Sequence, residues 1–269
     1  MKNKYIFILI CMLVHMINIA SASEIIFESE NIDILEEGNR IISNKGVARS
    51  IDHDLIIKAD NFDYSKDVSI LVATKKAIAK IPEKNIVINA DKFIYNKNLS
   101  TLNAMGNVVV YNSTNDILIN SNKILYNIKL TTLNAVGNVK IYNSTNDISI
   151  ISNKIYYNIK KNKIESETQS EVKDELGNLF LSKKFIYTLN DNLIKFNNLK
   201  FIDIERNTFQ INKAFANIKS KKLIGKDISV DFNNKNFNKD NEPRLKGNSI
   251  VSKDGKTIIT KGVFTTCKK

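Results

Sequence analysis

A tandem repeat is the feature that most constrains how this chain folds. Residues 102–116 read LNAMGNVVVYNSTND and residues 133–147 read LNAVGNVKIYNSTND, so 12 of 15 positions are identical between the two segments. The repeat length is thus about 31 residues, and a unit this short cannot bury an apolar face unless neighbouring units stack on it. The chain is therefore expected to form a continuous stack of similar units.

The same spacing recurs well beyond these two segments. A short motif that ends in tyrosine appears at residues 61–64, 92–95, 123–126, 154–157 and 184–187, and a degraded copy lies at 213–216. The spacing shortens slightly over the last two copies, and the tyrosine of the motif is replaced in the final one by Ala216. Repetition therefore extends over most of the chain.

Apolar residues within each unit alternate, as in Leu102, Ala104, Val108 and Val110. A period of two residues is typical of a strand that has one face turned inward. After Ala59, Ala90, Ser121 and Ser152 the apolar face resumes three residues later, which predicts a bulge or corner that bends the strand. Clusters rich in Asn, Ser, Thr and Asp separate the strands and predict turns.

The segment 1–22 is predicted to be a signal peptide. Lys2 and Lys4 precede an apolar stretch from Tyr5 to Ile19, and Ala20-Ser21-Ala22 offers the small residues that a signal peptidase requires. The formal charge of +12 falls to +10 once this segment is removed. Export argues against nucleic acid as a partner. The basic balance then indicates either compositional drift in a Lys-, Asn- and Ile-rich chain or attraction to phosphorylated lipid headgroups.

Residue types that carry chemistry are scarce. After the predicted cleavage the chain keeps one histidine, His53, and one cysteine, Cys267. His53 lies between Asp52 and Asp54 and is interpreted as a turn residue. No zinc-ligand spacing and no phosphate-binding glycine loop occur. We therefore expect no enzymatic activity, no cofactor and no metal, and we treat Cys267 as a disulfide candidate whose partner the sequence does not identify.

The repeat units resemble the OstA-like, or organic-solvent-tolerance, domains of the lipopolysaccharide transport family. The resemblance rests on an Ala-Asp doublet before an aromatic-x-Tyr strand, at residues 55–64 and 88–95, and on Gly-Asn-Val steps at Gly106 and Gly137. It covers about residues 25 to 265. It implies an all-β fold, an open β-jellyroll at 23–260 that is built from stacked antiparallel strand repeats of the length given above.

The family comprises bridge (LptA), inner-membrane (LptC) and outer-membrane assembly (LptD) members, and the end of the chain most resembles the last. Residues 261–269 look like the connection between the periplasmic jellyroll and the membrane barrel of such proteins, where cysteines form disulfides. Here no barrel follows Cys267. A fragment, a truncated product and a standalone bridge all stay open as interpretations.

The resemblance implies that acyl chains of lipopolysaccharide, or of a similar acylated lipid, lie in an apolar groove with the headgroup outside. The implied location is the periplasm, in association with the outer membrane. Expected partners are the lipid, other jellyroll bridge proteins that dock at sheet edges, and a separate outer-membrane barrel. The strand from Ile25 to Ile34 is the predicted docking edge. The candidate groove residues are Ile57, Phe62, Ile88, Phe93, Val108, Val110, Ile119, Ile124, Val139, Ile141, Ile150 and Ile155.

A different function class fits the same repeats. A structural or adhesive β-solenoid predicts a dry, closed core, whereas a lipid carrier predicts apolar surface that a ligand can reach. An enzyme on a β-scaffold would need a charged cleft, for which no residue cluster argues.

Overall fold

The computed structural model describes residues 25–233, 235, 237, 241–253 and 255–267. The predicted signal peptide lies outside these residues. The described chain is an antiparallel β-structure of 19 strands in one continuous sheet, which confirms the all-β prediction. Three single-turn 3-10 segments, Glu36–Gly38, Ile51–His53 and Pro82–Lys84, connect early strands.

Nine long strands form the first part of the sheet. They are β1 Ile25–Leu35, β2 Arg40–Ser50, β3 Leu55–Ser65, β4 Ile70–Ile81, β5 Ile86–Asn96, β6 Thr101–Asn112, β7 Ile117–Asn127, β8 Thr132–Asn143 and β9 Ile148–Asn158. Each strand pairs with the next along the chain. The connectivity is therefore a simple up-and-down meander.

The remaining strands continue the meander with two interruptions. They are β10 Lys163–Ser166, β11 Ser170–Lys173, β12 Leu179–Ser182, β13 Lys184–Thr188, β14 Leu193–Ile202, β15 Thr208–Asn217, β16 Lys222–Asp231, β17 Arg244–Lys253, β18 Lys256–Thr260 and β19 Val263–Thr265. Strand β9 pairs with both β10 and β11, and β14 pairs with both β12 and β13. Each of these pairs of short strands thus takes the place of one long strand that is broken at its middle.

Every long strand from β3 to β9 bends near its middle. In odd-numbered strands the inward positions are three residues apart at the bend, as from Ala90 to Phe93, which confirms the predicted corner. In β6 two consecutive residues, Gly106 and Asn107, have φ values of 76° and 45° and form a bulge opposite β7. Positive φ favours glycine at the first position because it has no Cβ.

The bends fold the sheet into two layers that face each other across an apolar core. The half of each strand on one side of the bend belongs to one layer, and the other half belongs to the second. Phe180 and Phe196 lie in opposite layers and stack with ring centroids 5.5 Å apart. The core is continuous from Ile25 to Ile250. Burial of this apolar face is the main stabilising term for such a stack.

The turns at each end of the strands stack as well. Along one end, the first residue of each turn donates its backbone N–H to the carbonyl of the last residue of the preceding turn. Examples are Lys97 to Ser69 at 3.0 Å and Ile128 to Ser100 at 2.9 Å. These bonds satisfy turn groups that the strand ladders leave unpaired and fix the spacing between units.

The two ends of the sheet have free edges. Strand β1 pairs only with β2, and β18 and β19 pair only with β17 among the described residues. Ile32 and Ile34 of β1 occupy inward register positions yet are 44% and 67% exposed. The core is therefore left uncovered at its N-terminal end.

Candidate functional site

All twelve predicted groove residues lie on the inner face of the sheet. They come from both layers, and each is between 0 and 2% exposed. The structure therefore places them together on the inner face, where they pack against one another, and their role as a lipid groove stays a prediction. A ligand would reach them only where the two layers separate.

A row of tyrosines closes the space between the layers on the side opposite the bends. Tyr157 Oη accepts a hydrogen bond from Asn115 Nδ2 at 2.9 Å, and Tyr187 Oη accepts one from Asn146 Nδ2 at 2.8 Å. In both cases the asparagine lies in a turn at the far end of the other layer. We call this closure, made by Tyr95, Tyr126, Tyr157 and Tyr187 and their turn partners, the seam.

Tyr95 makes the equivalent contact with a histidine. His53 Nδ1 lies 2.5 Å from Tyr95 Oη, and His53 Nε2 lies 2.9 Å from Ser100 Oγ. Ser50 Oγ is a further partner of the phenol at 2.8 Å. His53 sits in a 3-10 turn, which confirms its interpretation as a turn residue. Its role is to join the two layers.

Tyr126 breaks the pattern. By the repeat spacing, Lys84 occupies the position from which Asn115 and Asn146 donate hydrogen bonds to the later tyrosines, and Lys84 is exposed. Within the described residues, the buried Oη of Tyr126 has no hydrogen-bond partner. Burial raises the pKa of each of the four seam tyrosines to about 12. The phenols therefore stay neutral, and Tyr126 is the weak point of the seam.

The turns that meet at the seam carry opposite charge. Between residues 51 and 221, six turns on one side hold nine carboxylates against two cations, and six turns on the other side hold seven lysines against two aspartates. A further turn at Glu36–Gly38 stacks on the second side and adds two glutamates. Lys97 Nζ lies 3.7 Å from Asp52 across the seam, and Lys221 Nζ lies 2.8 Å from Glu175. We call these the acidic rim and the basic rim. The acidic rim comprises turns 51–54, 82–85, 113–116, 144–147, 174–178 and 203–207, and the basic rim comprises 66–69, 97–100, 128–131, 159–162, 189–192 and 218–221.

The seam ends where the repeat loses its tyrosine. Ala216 occupies the position of the next seam tyrosine, and there a cavity of about 610 Å³ lies between the layers. Its volume is within the range of small-molecule sites. Phe180, Phe201 and Phe209 form its inner wall, and Ile218 and Lys221 of the basic rim flank its mouth.

The cavity was missed at the level of sequence. The candidate groove residues all precede residue 156, whereas the cavity walls come from residues 174–259. The available signal was the degraded copy at 213–216, in which a small residue stands in place of tyrosine. Loss of a large inward side chain at one position of a stacked repeat leaves unfilled space, since backbone spacing stays fixed.

Two other sequence predictions concern single features. Cys267 is exposed, and its carbonyl accepts a hydrogen bond from Arg244 Nη2 at 2.7 Å. Its disulfide partner stays a prediction. Across the described ranges, no three His, Cys, Asp or Glu side chains are grouped so as to hold a metal ion. In that same part of the chain, none of the helices has the length and apolar character needed to span a membrane.

The likenesses of this chain to known proteins are structural and not at the level of sequence. No family model matches the sequence, and no curated protein matches it. Among solved structures, the chain aligns with LptH, the LptA-homologous periplasmic component of the lipopolysaccharide transport device of Pseudomonas aeruginosa. The alignment has 12% sequence identity and a TM-score of 0.22, and it covers 50% of this chain and 76% of that chain.

Proposed function

We propose that this protein is a periplasmic module that holds the acyl chains of lipopolysaccharide, or of a similar acylated lipid, and passes the lipid toward the outer membrane. The observation that carries the proposal is the cavity at Ala216, where apolar walls open between two charged rims. Acyl chains need apolar area and no directional partners, and each buried methylene contributes about 0.8 kcal/mol. The phosphorylated headgroup stays outside, beside the lysines of the basic rim.

In the same proposal, the twelve inner-face residues line the route that the lipid takes. Neighbouring seam contacts are neutral hydrogen bonds, each with a net worth of about 1 kcal/mol. A chain that enters at the cavity separates the layers one seam contact at a time and reaches Ile155 and Ile124 in turn. The missing bond at Tyr126 lowers the cost of that separation.

Docking between modules uses the free edges. Ile32 and Ile34 leave the N-terminal end of the core uncovered, and the unpaired backbone of β1 can accept another strand. A second jellyroll that adds a strand there extends both the sheet and the apolar interior. The resemblance of residues 261–269 to a jellyroll-to-barrel connection supports an LptD-like place next to an outer-membrane barrel, with Cys267 in a disulfide.

A structural repeat protein with a closed core is the second candidate. The burial of all twelve inner residues to 2% exposure or less favours it. It differs from the lipid carrier in one respect that can be measured, which is whether lipid occupies the interior.

The variant Ala216→Tyr tests the lipid proposal. It restores the seam tyrosine of the earlier repeats and places a phenol ring in the cavity, so protein isolated from the periplasm of a lipopolysaccharide-producing bacterium should lose co-purifying lipid. Ala216→Ser is the matched control, because it changes the same site without adding a ring. Mass spectrometry of extracted lipid gives the readout, and circular dichroism checks the fold. Equal lipid in both variants, or none in the wild type, would exclude the cavity as a lipid site.

A further inference from the structure

The outside of the bends carries a line of lysines. Each strand turns its bend residues to solvent, and those residues come together as a ridge that runs along the length of the stack, opposite the seam. We call this the corner ridge. Its ten lysines are Lys45, Lys75, Lys76, Lys92, Lys123, Lys154, Lys183, Lys184, Lys213 and Lys226, and all of them are exposed.

Carboxylates on the ridge are too few to balance these lysines. The bend positions hold five of them, Glu30, Asp60, Asp91, Glu167 and Asp227. Two are used in ion pairs, since Lys45 Nζ lies 3.6 Å from Glu30 and Lys184 Nζ bonds to Glu167. Asp91 accepts a hydrogen bond from Asn107 Nδ2 at 2.9 Å.

Five neighbouring ridge lysines are free of ion pairs. Among the described residues, Lys75, Lys76, Lys92, Lys123 and Lys154 have no carboxylate oxygen within 4.0 Å. These side chains are therefore available to an external anion.

The repeat fixes their spacing. Thr74 pairs with Lys92, so Lys75 and Lys76 lie one strand away from it. Lys92, Lys123 and Lys154 occupy the same position on every second strand, and strands lie about 4.8 Å apart, so these three follow one another at about 10 Å. The five lysines thus form a positive row on the order of 25 Å long.

We infer that the corner ridge docks on the surface of a bilayer that contains anionic lipids. The lysine ammonium groups of the ridge are compact, strongly hydrated point charges, and such charges are attracted to the many phosphate groups on the surface of an anionic bilayer. The residues beside these lysines are Asp, Asn and Gly rather than the arginines and aromatic side chains that read nucleic acid. Docking by the ridge leaves the seam and the cavity facing away from that membrane.

Vesicle flotation tests the inference. The full mature protein is mixed with vesicles of phosphatidylcholine with and without 30% phosphatidylglycerol, roughly the anionic fraction that makes a surface attract lysines. The ridge variant replaces Lys75, Lys76, Lys92, Lys123 and Lys154 with Gln. The control variant replaces with Gln five exposed lysines that lie outside both the ridge and the rims, and so carries the same net charge; they are Lys80, Lys140, Lys173, Lys195 and Lys246.

The wild-type protein and the control variant should float with the anionic vesicles at low salt, and the ridge variant should bind them at least about 10-fold more weakly. Binding should fall as salt shortens the range of the charges. Equal loss in both variants would show diffuse attraction by net charge and overturn the inference, as would failure of the wild type to bind. Ridge-dependent binding to duplex DNA that exceeds binding to the vesicles would assign the ridge to a nucleic-acid polymer instead. None of these results depends on the lipid cavity.

Discussion

The seam tyrosines give the sharpest prediction, because two nearly identical sites differ in one hydrogen bond. Tyr157 and Tyr126 occupy the same position in consecutive repeats, and both are buried. Tyr157 Oη has Asn115 as its partner, whereas Tyr126 Oη has none in the described structure. Replacing each by Phe removes only the hydroxyl and keeps the packing.

We expect Tyr157→Phe to destabilise the protein and Tyr126→Phe not to do so. Tyr157→Phe removes a satisfied neutral bond and should lower the free energy of unfolding by about 1 kcal/mol. Tyr126→Phe removes a buried hydroxyl without a partner and should leave stability unchanged or raise it by up to about 1 kcal/mol. Asn115→Ala leaves the Tyr157 hydroxyl unpaired and also removes the hydrogen bond from Asn115 Nδ2 to Asn162 Oδ1, so it should cost about 2 kcal/mol.

Urea denaturation followed by circular dichroism measures these differences, with the slope of the transition checked for change. In thermal unfolding, each 1 kcal/mol corresponds to a shift of roughly 2–4 °C for a domain of this size. If Tyr126→Phe destabilises the protein as much as Tyr157→Phe does, the two phenols have equivalent partners and the seam has no weak point.

Two further predictions concern pH and backbone. Burial lowers the pKa of His53 below its ordinary value of 6.5, so the folded state favours the neutral ring. The contribution of the neutral ring to the free energy of unfolding should be fully present above pH 6.5 and should be lost as the pH falls below it. Denaturation midpoints at pH 7.5 and pH 5 should therefore differ less in His53→Gln than in the wild type, and an unchanged difference would exclude this histidine as the cause. Gly106→Ala places a Cβ 2.3 Å from Asp91 Oδ2 at a φ of 76°, and it should cost about 2 kcal/mol. Gly177→Ala, where φ is 90° and no atom lies within 4 Å, should cost only about 1 kcal/mol, and equal losses would rule out the contact as a factor.

The strand pattern was predictable from sequence because alternation and the repeat spacing report the inward face directly. The step from Ala90 to Phe93 located a bend correctly, since a three-residue interval cannot keep one side of a flat strand inward. The paired positive φ values at Gly106 and Asn107 were not predicted. A Gly-Asn step is also compatible with an ordinary strand, and only the register with β7 requires the bulge.

The inner residues were predictable as a set, but their access to solvent was not. Alternation identifies which side chains point inward and does not say whether the two layers touch. That depends on contacts between positions far apart in the chain, such as Asn115 with Tyr157, which no local pattern shows. The cavity exists because Ala216 has a small side chain at a position where the earlier repeats have tyrosine.

Site-specific photo-crosslinking in the periplasm of a lipopolysaccharide-producing bacterium tests the proposed lipid site most directly. A benzophenone side chain would replace Phe209 in the cavity wall, Ile124 behind the closed seam and the exposed Lys140 on the outer face of β8. We expect lipopolysaccharide adducts to be strongest at Phe209, weaker at Ile124 and absent at Lys140. Absence of adducts at both inward positions in folded protein would contradict lipid binding and favour a closed structural core.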